Sequence, residues 1–130
     1  MPTAISVHSL QKTFDRQIAI DGLSFEVDTH EFVAIVGPSG CGKSTTALAI
    51  LRMLEPTAGR IIFEGEDITA LGQKALRPIR RRMQMVYQDP FGSLNPRMTA
   101  GGIIGEPLVV HNLAKGKARR DARADEVLDI

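Results

Sequence analysis

A single cysteine, Cys41, stands in the 130 residues, so no internal disulfide can staple the fold. No apolar run approaches the roughly eighteen residues that cross a bilayer as a helix. The N-terminus has no basic stretch leading into an apolar one, so the expectation is a cytosolic, unexported protein. A balance of 16 basic against 15 acidic residues leaves +1, without an overall pull toward nucleic acid or a membrane surface. Internal repeats and low-complexity segments are missing as well. What is there, 43% apolar and 24% charged residues, is the ordinary composition of one globular domain that buries a core.

The chain is organised around residues 32–54, FVAIVGPSGCGKSTTALAILRML. Phe32-Val33-Ala34-Ile35-Val36 is short, apolar and rich in β-branched residues, which predicts a parallel strand covered on both faces. Gly37 ends it. From Gly37 through Pro38, Ser39, Gly40, Cys41, Gly42 and Lys43 to Ser44 the spacing is Gly-x-x-x-x-Gly-Lys-Ser. Glycines in this pattern let the backbone wrap an anion with successive N–H groups pointing inward. Lys43 supplies a charge for the β- and γ-phosphates, Ser44 a hydroxyl for Mg²⁺, and Thr45 points toward the same anion. The helix that starts here adds unpaired N–H groups and the positive end of its dipole. The pattern alone recurs by chance; a strand before it and a helix after it confirm it. The rival reading, a plain glycine-rich turn, has no use for Lys-Ser at that place. Cys41 reads as a small residue tolerated inside the loop.

Before this stretch, residues 4–14 and 18–27 alternate as two antiparallel strands, with Ile5, Val7 and Leu10 inward on the first and Leu23, Phe25 and Val27 in alternation on the second. Phe14 reads either as core or as a stacking platform for a base, and burial of a large ring favours core. After the loop, Ala47, Leu48, Ile50, Leu51 and Leu54 carry helical spacing until Glu55-Pro56-Thr57-Ala58-Gly59 stops them. RIIFEGEDI then reads as a strand, a tight turn and a short extension. Residues 73–82 read as partly helical, with Pro78 breaking or kinking the middle, and Arg77, Arg80, Arg81 and Arg82 as a solvated face. Residues 83–87 read as a short apolar strand ending at Gln88, which coordinates Mg²⁺ or orients water if ligands bind at the strand's carboxyl end. DPFGSLNPRM, residues 89–98, is a turn-rich loop exposing Phe91, Leu94 and Met98, either a docking surface or a loop packed by its own side chains. From Thr99 the chain is helix-compatible despite Gly101, Gly102 and Gly105. The last segment, KGKARRDARADEVLDI, reads as a helix still in progress at Ile130.

Taken together, the order strand, Phe14, strand, GPSGCGKS, helix, EPTAGRIIFEGEDI and MVYQDPFGSLNPRMT resembles the N-terminal part of an ATP-binding cassette (ABC) protein. The last stretch is similar to the ATPase subunits of oligopeptide, dipeptide and nickel importers. The resemblance implies an α/β P-loop NTPase fold over residues 1–130: an antiparallel β subdomain plus an incomplete parallel sheet with helices. It makes Phe14 the aromatic that stacks on adenine, where the family usually has Tyr, and so reverses the core reading. It makes Gly37–Ser44 the Walker A loop, Thr45 an α-phosphate contact, and Gln88 the glutamine that binds Mg²⁺ with Ser44 and senses the γ-phosphate. ATP and Mg²⁺ are the implied cofactors. The implied partners are transmembrane permease subunits met through the loop around Phe91, a second ATPase subunit as homo- or heterodimer, and indirectly a periplasmic or extracellular solute-binding protein. The implied place is the cytoplasmic face of the inner membrane, peripherally bound, with no nucleic acid involved.

The chain departs from the family in lacking a Leu-Ser-Gly-Gly-Gln signature, an apolar strand ending in Asp-Glu and a switch histidine. His8, His30 and His111 fit none of these roles. Phosphoryl transfer needs a positioned metal and an oriented water. The expectation for these 130 residues is therefore ATP binding with negligible hydrolysis, no catalytic residue within the chain, and an open apolar sheet edge prone to aggregation. Two further readings compete: a small P-loop kinase using Arg77–Arg82 as its lid, and a non-hydrolysing regulator that competes for the membrane subunit.

Overall fold

The computed structural model describes residues 2–129, which fall into two compact units divided between Met83 and Gln84. In the first, four strands form one antiparallel sheet in the order β2-β1-β3-β4: β1 Thr3–Phe14, β2 Gln17–Asp28, β3 Ala58–Phe63 and β4 Glu66–Asp67. Helices α1 Lys43–Ile50 and α2 Gln73–Arg80 complete the unit. The two antiparallel strands expected before the glycine-rich loop are present, joined through Asp15 and Arg16, with Asp15 at φ 49°.

Inward placement of both Val7 and Leu10, three residues apart, conflicts with strict alternation. The β1 ladder resolves it by slipping register between them, with Ser9 at φ 48°. A bulge of this kind adds one residue and returns the next side chain to the same face. Val7 and Leu10 are accordingly both buried, beside Ile20, Ala49, Ile61, Phe63, Ile68, Leu76 and Ile79 in one apolar cluster. The bulge also explains Gly59: it sits at φ 95°, and a Cβ there would lie 2.5 Å from the Ser9 carbonyl oxygen. Between β3 and β4 the turn residues Glu64 and Gly65 both have positive φ, 47° and 82°, the twist that suits a two-residue hairpin.

Three expectations need correction. Residues 32–36 form no ladder: they carry no strand assignment, and Phe32 and Val36 are 92% and 88% exposed. Residues 83–87 likewise pair with nothing as a strand, with Val86 94% exposed. Apolar composition reports what a doubly covered strand requires. The cover and the neighbouring strand are not supplied by the described residues. Finally, α2 does not break at Pro78 but runs to Arg80, because the proline falls in the last turn of an eight-residue helix.

The arginines are also less solvated than expected. Arg80 donates to Gln73 Oε1 at 2.8 Å and to the Arg52 carbonyl at 2.9 Å, while Arg82 pairs with Glu64 and lies 5.1 Å over the Phe63 ring. Arg52 itself is buried. Its Nε and Nη2 each donate over 3.1 Å, to the carbonyls of Ile68 and Leu71, fastening that segment to the end of α1.

In the second unit Asp89 Oδ1 accepts from the N–H groups of Phe91 (3.1 Å) and Gly92 (3.0 Å), which folds the DPFG turn on itself. Thr99 caps helix α3, Ala100–Val110, by accepting from Gly102 N at 3.1 Å. That cap offsets the low helix propensity of three glycines. Gly105 is buried where α3 packs on α4, Lys117–Leu128, and a methyl group at Gly105 would lie 3.9 Å from Arg120 Cβ.

Candidate functional site

The first unit brings Gly37 through Thr45 together as one loop leading into a helix. Gly40 and Gly42 take φ 78° and 98°, the left-handed region that side chains avoid. Gly42 has a second reason to be glycine: a Cβ would lie 2.4 Å from the Ala19 carbonyl oxygen on β2, so the loop can seat on the hairpin only without one. Thr46, buried in the first turn, donates its hydroxyl to the Gly42 carbonyl at 2.8 Å and holds the loop to its helix. Periodicity gave no sign of that bond.

Lys43 folds back across the loop. Its Nζ donates to the carbonyls of Gly37 at 2.6 Å and Pro38 at 2.7 Å and lies 3.7 Å from Cys41 Sγ. The ammonium is thereby tethered to the loop backbone, which Cys41 N closes with a bond to the Pro38 carbonyl at 3.3 Å. No side chain caps α1, and its first turn carries no acidic residue that would neutralise the helix end. Positive-φ glycines, a tethered ammonium and an uncapped helix N-terminus make a cradle for an anion with several oxygens. Ser39, Gly40, Cys41 and Ser44 are open to solvent, and Thr45 is half-buried.

Phe14 stands at the tip of the hairpin whose second strand supports Gly42. It is 44% exposed, so the core reading drawn from burial alone fails: a hairpin tip has no layer to cover it. Gln88 belongs to the second unit, where it is exposed and lines an open hollow with Tyr87, Asp89, Gly92 and Ser93. In the same loop Phe91 is 90% exposed and Leu94 51%. Among the described residues no group of three or more His, Cys, Asp or Glu side chains converges as a metal site, and no helix is long and apolar enough to cross a membrane.

The glycine loop seated on a hairpin and running into α1 has the build of a phosphate-binding loop. Residues 20–129 match the family model for ABC transporters, and the chain belongs to that family. It is 48% identical over 107 residues to a probable peptide ABC transporter ATP-binding protein of Sinorhizobium fredii, covering 82% of this chain and 30% of that protein. It is 47% identical over 112 residues to the oligopeptide transport ATP-binding protein OppF of Bacillus subtilis, covering 85% and 37%. The chain thus spans about a third of the length of these relatives. Among solved structures it is similar to a dimeric ATP-binding cassette in a post-hydrolysis state bound to ADP and Pi, with TM-score 0.78, 28% identity, 96% of this chain and 56% of that one. It is equally similar in fold to a component of a Clostridium perfringens ABC transporter complex, with TM-score 0.78, 25% identity, 99% of this chain and 50% of that one. Family membership removes the kinase reading, and with Arg80 and Arg82 engaged inside the first unit the lid it required has lost two of its four arginines.

Proposed function

We propose that this chain carries the ATP half-site of an ABC importer ATPase for peptides. The observation that carries the reading is Lys43 held over a glycine loop that fits its hairpin only as glycine. The relatives named for peptide transport favour peptides over nickel.

On this reading the N–H groups of Gly40 to Ser44 and the Lys43 ammonium grip the β- and γ-phosphates, and Thr45 contacts the α-phosphate. The Ser44 hydroxyl would hold Mg²⁺, whose charge would offset that of the phosphate oxygens, and Gln88 of the second unit is proposed as a further ligand on the strength of the family pattern alone. Phe14 stacks on the base. Gly37, Pro38, Ser39 and Cys41 shape the loop. Hydrolysis requires in addition an oriented water and a base; the roles proposed for these residues are binding and positioning. The loop around Phe91 docks a transmembrane permease subunit, a second ATPase subunit faces this one, a solute-binding protein acts through the permease, and the assembly works at the cytoplasmic face of the membrane.

The test is thermal melting of the chain with and without millimolar MgATP. Stabilisation that disappears in Lys43→Ala is expected; identical melting with and without nucleotide in the parent chain contradicts the reading.

A further inference from the structure

At the end of β1, Lys12 serves two neighbours at once. Its Nζ lies 5.0 Å from the centroid of the Phe14 ring and donates to the Glu55 carbonyl at 2.7 Å. Two more bonds lock the same place: Thr13 N to Thr57 Oγ1 at 2.9 Å and Thr57 N to the Gln11 carbonyl at 2.8 Å. Residues 55–57 therefore hold the hairpin end, and Lys12 is their only reach toward the ring among these bonds. An exposed phenylalanine at a hairpin tip ordinarily samples several rotamers, whose loss opposes stacking of any ligand on it.

We propose that Lys12 is a positioning residue for base binding: its ammonium, anchored on Glu55, covers one face of Phe14 and fixes the ring so that the other receives the adenine. The proposal rests on the reading of Phe14 as the base platform. A cation drawn to the negative face of an arene orients the ring, and it withdraws electron density from it, which favours stacking on an electron-rich purine. Lys12 is not asked to touch phosphate. Its effect is therefore confined to ligands that possess a base.

The experiment is calorimetric titration of the full chain with MgATP and, separately, with magnesium tripolyphosphate, which has no base. Lys12→Met is expected to weaken ATP by about threefold to fivefold and leave tripolyphosphate unchanged. Lys12→Gln, which keeps a donor for Glu55 but no charge, loses the same amount, and Lys12→Arg restores it. In a Phe14→Ala background Lys12→Met changes nothing further. Equal weakening of both probes, or an undiminished Lys12 effect without the ring, overturns the proposal, as does full ATP affinity in Lys12→Gln. Failure of the underlying reading looks different: Phe14→Ala then binds ATP as tightly as the parent while Lys43→Ala does not.

Discussion

Replacing Gly42 with alanine isolates the contact on which the phosphate loop depends. Two costs add. At φ 98° an L side chain is in left-handed backbone, worth about 1–2 kcal/mol. The new methyl also lies 2.4 Å from the Ala19 carbonyl oxygen, so loop and hairpin must separate by roughly 1 Å in an interior that does not readily yield. The separation loosens the 2.8 Å bond from Thr46 to the Gly42 carbonyl, about 1 kcal/mol more. The sum, about 2–3 kcal/mol, is a large part of the stability of an ordinary domain. Gly40 is the control, because it has φ 78° and a methyl group there would meet nothing within 4 Å, so Gly40→Ala carries only the backbone cost of about 1–2 kcal/mol. Urea unfolding followed by circular dichroism reads both. The backbone cost cancels between the two, so Gly42→Ala should lose at least about 1 kcal/mol more than Gly40→Ala. Equal stability of the two variants would refute the claim that the loop is seated on β2.

Three further outcomes are expected. Alkylation of the exposed Cys41, whose Sγ lies 3.7 Å from Lys43 Nζ, should abolish MgATP binding, and Cys41→Ala should bind before and after the reagent; binding by the fully alkylated chain, verified by mass, contradicts this. Asp67, hydrogen-bonded by Thr69 and Arg60, is lowered to about 2, so it contributes stability above the unfolded carboxylate value that is lost as pH falls through about 2. With the side chain 42% exposed, the amount is under about 1 kcal/mol, and Asp67→Asn should flatten the acid limb of a urea-midpoint profile. Phe32→Ser, at a residue 92% exposed, should cost under about 0.5 kcal/mol and reduce light scattering on concentration; a larger loss means that Phe32 is buried in solution.

The glycine loop and the first hairpin were legible because each is written in local chemistry: Gly-x-x-x-x-Gly-Lys-Ser in the one, alternation of Ile5, Val7, Leu23 and Phe25 in the other. Residues 32–36 and 83–87 were misread for a reason of the same kind. Apolar side chains state that a strand wants covering on both faces, but pairing depends on distant segments that no local pattern encodes. The bulge at Ser9 leaves no local mark in the sequence, because the residue that accommodates it, Gly59, lies on another strand. Arg52, Arg80 and Lys12 escaped because long cationic side chains look alike in sequence whether they reach water, a buried carbonyl or an aromatic ring.

The central claim is that residues 37–45 are the phosphate site of a nucleotide. The most direct measurement is amide chemical-shift mapping of the nitrogen-15-labelled chain during titration with MgATP. The largest changes are expected at the amides of Gly40, Cys41, Gly42, Lys43, Ser44 and Thr45, all lost in Lys43→Ala. Saturable binding with those amides unmoved would contradict it.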